Sequence, residues 1–328
     1  MKKRFLWTAV AVVTVMTMQA KKPAMPPFLH HGDTIAVLSL SSTPKAGVVE
    51  KGVAAVEKWG FKTVVGKHAR DEWRTFAGTP EQRRDDLLKA LRDPSVKAIL
   101  SSRGGYGAAN VLALIPLDTL AKYPKWIIGY SDITGYLSAE YRAGHMSLHA
   151  NMCGHLADTG GNDQESLWLR DILLGKLPTY HVPSHEYNRP GKASGILLGG
   201  NMSVYGDLAG SPYDFFAPEV IDYNDVIIFI EDVGENIAHL DRMLQHLRVR
   251  GTLDKVQAVI VGRFDDCPPS RGYASTLEMI HDYLKEYDIP VCYDFPVGHD
   301  ESWNYPLIVG CPVELNVDMD KVTLKFVP

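Results

Sequence analysis

Residues 96–134 read VKAILSSRGGYGAANVLALIPLDTLAKYPKWIIGYSDIT. Two junctions between an apolar run and a loop lie inside this stretch. Val96–Leu100 runs into Ser101-Ser102-Arg103-Gly104-Gly105-Tyr106-Gly107, and Trp126–Tyr130 runs into Ser131-Asp132-Ile133-Thr134 and a helix. Short apolar runs rich in β-branched residues and bounded by turn formers read as buried strands. Upstream, Thr34–Leu40 and Phe61–Val65 are two more such runs. Between them, Val49, Val53, Val56 and Trp59 recur at helical spacing, and Gly60 stops that helix. Thr79-Pro80-Glu81-Gln82 begins another helix, with a capping Thr, a first-turn Pro and a Gln where a capping box needs one. Strand and helix in alternation predict an α/β fold: a doubly wound parallel sheet with helices on both faces. In such sheets ligands bind beyond the carboxyl ends of the strands, where both the Gly-rich loop and Ser131 fall.

Downstream the character changes. Thr159–Asp163 and Pro178–Lys192 are rich in Gly, Pro and polar residues, so residues 159–192 are expected to link a domain at 33–158 to a second at 193–328. In the second domain Asp225–Ile230 and Val256–Val261 read as strands, and Asn236–Leu247 and Ser275–Tyr287 as helices. Val313–Val327 alternates as a sheet does. The first 20 residues differ from both domains. Lys2, Lys3 and Arg4 precede an uncharged run from Phe5 to Met18, and Ala20 precedes Lys21 and Lys22. This is the layout of a secretory signal, followed by a lead at 21–32; the run is shorter than the ~20 residues a spanning helix needs. The expectation is an exported, periplasmic protein with no stable membrane span after cleavage. The competing readings are an uncleaved anchor or a misplaced start in a cytoplasmic protein.

With 22% charged residues and a net charge of -5, the chain lacks the basic surface that a general nucleic-acid partner requires. Cys153, Cys267, Cys292 and Cys311 form no CxxC pair, so a zinc ribbon is not indicated.

Ser131 stands at the start of a helix, where free backbone N–H groups and the helix dipole can stabilise an oxyanion. Gly129-Tyr130-Ser131-Asp132-Ile133 matches a GxSxG nucleophile elbow only in part, since Ile133 replaces the last Gly. A plain N-cap is the bland alternative for this Ser. The Arg103–Gly107 loop lets backbone approach a ligand but lacks the Lys-Ser/Thr of a phosphate-binding loop. Glu231 and Asp232 end an apolar strand, with Glu235 a competitor for any catalytic role. His299 follows Gly298 and suits a general base. A rival cluster, His145, His149, Cys153 and His155, contains no HExxH pattern.

In this order the pieces resemble the LD-carboxypeptidase family of serine peptidases, which includes murein tetrapeptide carboxypeptidases and the microcin C self-immunity peptidase. The resemblance rests on Phe76-Ala77-Gly78-Thr79, Ser102–Gly107, Pro124–Thr134, Leu198-Gly199-Gly200-Asn201, Phe229–Glu235, Val261-Gly262-Arg263-Phe264 and Gly298-His299. It implies a β-rich α/β second domain and a triad of Ser131, Glu231 and His299, with Glu231 rather than Glu235 as its acid. It also implies an oxyanion hole from the backbone N–H groups of Asp132 and Gly105. Arg103, Gly104, Tyr106 and Asn201 become candidates to contact substrate. No metal or organic cofactor is implied. The implied substrate is a murein tetrapeptide, cut before its terminal D-amino acid, and a homodimer is implied as well. The alternatives are the same chemistry on a peptide-nucleotide antibiotic, a non-catalytic peptidoglycan-peptide binder, and a metal-dependent amidase built on the His145 cluster. One departure from the family stands out. His149-Ala150-Asn151 occupies the place of a frequent His-Gly-Pro, which leaves the role of His149 open.

Overall fold

The computed structural model describes residues 23–222, 224–300 and 303–328. The signal-like residues 1–20 therefore lie outside the described residues. The strands are β1 (Thr34–Leu38), β2 (Lys62–Val65), β3 (Val96–Ser101), β4 (Trp126–Gly129), β5 (Ser147–His149), β6 (Thr179–Pro183), β7 (Gly191–Asn201), β8 (Val226–Val233), β9 (Ala258–Asp265), β10 (Val291–Cys292), β11 (Leu307–Val309), β12 (Pro312–Val317) and β13 (Lys321–Phe326).

They form two sheets. The first has the order β11-β5-β4-β3-β1-β2, with β1 to β5 parallel and β11 antiparallel on the β5 edge. Within it the order β2-β1-β3-β4-β5 is the doubly wound arrangement, whose direction reverses between β1 and β3. The crevice of such a sheet opens at that reversal, beyond the strand ends. Ser41, Ser42 and the Arg103–Gly107 loop occupy that position here.

The second sheet has the order β10-β9-β8-β7-β12-β13-β6. Strands β10 to β7 are parallel, and β12, β13 and β6 continue antiparallel. Strand β8 is buried from Val226 through Asp232, as its near-continuous apolar sequence requires in the middle of a covered sheet. Each buried Val, Ile or Phe side chain there contributes about 1.5–3 kcal/mol relative to exposure.

Two features depart from the sequence reading. Residues 159–192 are not a bare linker: they hold a helix at Gln164–Leu173 and the edge strand β6. Tyr180 and Val182 point inward along β6 in the alternation of a half-buried strand, and Pro183 ends it at the sheet edge, where a missing N–H is tolerated. Furthermore, β11 comes from the C-terminal part of the chain but pairs with β5 of the first sheet, Leu307 facing His149. The two halves are therefore interlaced rather than merely joined in series.

Candidate active site

Ser131 follows β4 directly and opens a short 3-10 turn, Ser131–Ile133, which continues into the helix Thr134–Ala143. Its φ is 62°, in the left-handed region that costs a side-chain-bearing residue about 1–2 kcal/mol. This is the geometry of a nucleophile elbow, so Ser131 is not the extended N-cap that the bland reading envisages. The incomplete sequence match has a packing explanation. Ile133 lies against Gly129, and a Cβ at Gly129 would approach the Ile133 side chain to 2.9 Å.

The loop after β3 is fitted to this elbow. A Cβ on Gly104 would meet the Ser131 Cβ at 2.9 Å and Oγ at 3.0 Å, so only a bare backbone can pass so near. Gly105 has φ 116°, and a Cβ there would fall 2.1 Å from Ser42 Oγ. The N–H groups of Gly105 and Asp132 have no hydrogen-bond acceptor among the described residues. The Asp132 carboxylate braces the junction: it accepts from Ser41 Oγ and, at 2.9 Å, from the Ala108 N–H. Buried Arg83 adds a second brace, donating to the carbonyls of Leu40 at 3.1 Å and Gly107 at 3.2 Å. Neither brace was assigned from sequence, because their partners lie far along the chain and no local pattern announces them.

The parallel strands of the second sheet bring their carboxyl ends to the same place. Asn201 ends β7, pairs with Glu231 of β8, and its N–H donates to Thr134 Oγ1 of the elbow helix at 3.1 Å. Glu231 is fully buried, and its Oε2 lies 2.8 Å from His299 Nδ1. The His299 N–H donates to Asp265 Oδ2 at 2.9 Å, which fixes the backbone that carries the ring. Tyr130 packs edge-on against the imidazole, with ring centroids 5.0 Å apart. Burial opposes the ionisation of Glu231, but the charge of His299 and the contacts of His149 and His299 outweigh it and draw the carboxyl down to about 2. Burial likewise opposes a charged His299, yet the Glu231 carboxylate raises its pKa above the ordinary imidazole value.

Other predicted positions sort clearly. Glu235, the competing acid, binds His239 instead. Asp232 is taken up by Asn201 Nδ2 at 2.9 Å, Ser203 N–H at 2.9 Å and Val233 N–H at 2.8 Å. Burial first, and the neighbouring Glu231 charge second, push its carboxyl up to about 6. The rival cluster does not converge: His145 meets Glu140, His155 meets Asp163, and His149 faces Glu231. Cys153 instead packs beside Gly52.

Ser131 and His299 line one cavity of about 350 Å³, together with Lys45, Arg103 and Gly104. Ser131 also lines a second cavity of about 360 Å³ with Gly105, Tyr106, Asn201, Asp207 and Asp232. His299 Nε2 has no hydrogen-bond partner among the described residues, so the Ser131–His299 bond is not closed in this arrangement. The structure thus joins Glu231 to His299 and sets Ser131 across the cavity that His299 lines. A fixed proton acceptor, a strained hydroxyl and two unused N–H groups are the parts that acyl transfer needs.

The chain matches the models described as LD-carboxypeptidase N-terminal domain, over residues 35–150, and LD-carboxypeptidase C-terminal domain, over residues 194–315. It is 35% identical over 304 residues to a Synechocystis sp. protein that carries the name of a carboxypeptidase, covering 91% of this chain and 95% of that one. It is 29% identical over 286 residues to a murein tetrapeptide carboxypeptidase of Pseudomonas aeruginosa, covering 83% of this chain and 90% of that one. Among solved structures, a muramoyltetrapeptide carboxypeptidase from Oxalobacter formigenes superposes with a TM-score of 0.80 at 24% identity, covering 90% of this chain and 99% of that one.

Proposed function

Since the chain belongs to the LD-carboxypeptidase family, we propose that it is a serine carboxypeptidase that removes the terminal D-amino acid from murein tetrapeptides through an acyl-enzyme. The observation that carries this reading is His299, held 2.8 Å from buried Glu231 and lining one cavity with a serine at φ 62°.

In the proposed reaction, substrate binding brings Ser131 Oγ and His299 Nε2 to hydrogen-bond distance. His299 Nε2 takes the hydroxyl proton as Oγ bonds to the carbonyl carbon of the last amide. Glu231 holds Nδ1 protonated and stabilises the imidazolium. The N–H groups of Gly105 and Asp132 receive the oxyanion, each contributing ~3 kcal/mol to lowering the barrier. His299 then returns the proton to the departing amine as the C–N bond breaks. Water, deprotonated by the same imidazole, releases the acyl group and restores Ser131.

The charges around Ser131 support the choice of substrate. Lys45 and Arg103 on one side suit the terminal carboxylate of the leaving D-residue. Asp207 on the other suits the side-chain ammonium of a diamino acid on the acyl side. The layout of residues 1–20 supports action on cell-wall peptides outside the cytoplasm. The test is to incubate purified protein with a tetrapeptide muropeptide and follow D-alanine. Wild type should release it and Ser131→Ala should not; wild-type turnover by Ser131→Ala would refute the nucleophile.

A further inference from the structure

Glu231 carries two carboxylate oxygens in a fully buried site, and His299 accounts for only one. Oε1 has no hydrogen-bond partner among the described residues. The basic atom that faces it is His149 Nε2, 3.6 Å away. His149 is itself wholly buried, and neither of its ring nitrogens has a hydrogen-bond partner among the described residues. Two orphaned, complementary atoms thus face each other in a buried site, where unmet polar groups are costly. Closing the gap by about 0.6 Å gives an ordinary N–H···O bond.

Three supports aim the His149 ring. Strand β5 pairs on one side with β4, His149 opposite Gly129, and on the other with β11, His149 opposite Leu307. Phe229 meets the ring edge-on, with centroids 5.3 Å apart, and Tyr130 lies at 5.8 Å. Tyr130 therefore touches both imidazoles, and Glu231 lies between them.

We propose that His149 is a positioning residue: its Nε2–H donates to Glu231 Oε1 and fixes the carboxylate that orients His299. This deepens the triad reading and rests on it. A donor on Oε1 limits rotation of the carboxylate, which keeps Oε2 on the axis of His299 Nδ1. It also keeps the carboxylate a weaker proton acceptor, so the Glu231–His299 pair gains its proton only at lower pH. The other titratable groups around the pair are Tyr130 against both imidazoles, Asp232 beside Glu231, Asp265 under the His299 backbone, Asp300 next in the chain, and Tyr205 from the helix Met202–Asp207. None of these places a donor on Oε1.

The experiment compares His149→Phe, which keeps a ring but has no donor, with His149→Gln, whose amide nitrogen reaches toward the imidazole Nε2 position. D-Alanine release from the tetrapeptide is followed across pH. His149→Phe should lower kcat about tenfold or more, leave KM within about twofold, and move the acid limb of kcat/KM to higher pH. His149→Gln should recover most of kcat and the wild-type limb. Equal losses in both variants with an unmoved limb would reduce His149 to packing and overturn the proposal, as would a fully active His149→Phe. If His149→Phe does not fold, imidazole 15N NMR of the wild-type protein decides. The Nε2–H tautomer is required, and an Nδ1–H tautomer overturns it. The triad reading fails separately, through an active Ser131→Ala.

Discussion

Ser131 sits at φ 62°, with Gly104 packed against its side chain and the elbow helix beginning directly after it. A side chain at that φ is strained, and glycine is not. Ser131→Gly and Ser131→Ala should both lose activity, yet the glycine variant should be the more stable by about 1 kcal/mol in denaturant unfolding. Equal stability would show that the elbow stores no strain. In the proposed reaction His299 accepts a proton only when neutral. Its pKa, lowered by burial but raised further by the Glu231 charge, ends above the ordinary 6.5. Activity should therefore rise with pH along an acid limb centred above 6.5. Glu231→Gln, which removes that charge, should move the limb downward while kcat falls. A pH–rate profile checks both, and a wild-type limb at or below 6.5 contradicts the pairing. Ser131, Glu231 and His299 were legible as chemistry-bearing residues because each follows a strand-like segment. Their selection from among neighbours such as Glu235 needed the family resemblance. The place of His149 opposite Glu231 was not legible, since it depends on a contact between two sheets that no spacing in the chain encodes.

Elements whose signals are local read well from sequence. The capping box at Thr79 is formed as its four residues imply: the Gln82 N–H donates to Thr79 Oγ1 at 3.3 Å, and the Thr79 N–H donates to Gln82 Oε1 at 2.8 Å. Thr79→Ala should cost about 1 kcal/mol of stability, seen as a lower denaturant midpoint, with kcat unchanged. An unshifted midpoint would mean that the cap adds nothing. Strand β6 was harder to see. Its alternation spans only Tyr180 and Val182, and the surrounding Gly, Pro and polar residues outweigh so short a signal. What makes it a strand is pairing with β13, Tyr180 opposite Leu324, and that partner lies at the far end of the chain.

At the scale of the molecule, the parallel portions of both sheets deliver their strand ends to one crevice, and β11 ties the halves together. Sequence order assigned Leu307–Val309 to the second half, but its edge pairing puts it in the first. The halves should consequently unfold together. Far-UV circular dichroism, which reports both sheets, and tryptophan fluorescence, to which Trp126 buried in the first contributes, should give one coincident transition. Two separated transitions would show that the interlacing carries little energy. The same strand also bears on biosynthesis. While the ribosome is still short of residue 309, the β5 edge has no neighbour and presents its backbone groups to any passing strand. A chain stalled or clipped before that point should therefore be taken by chaperones and proteases rather than persist as a half-built hydrolase.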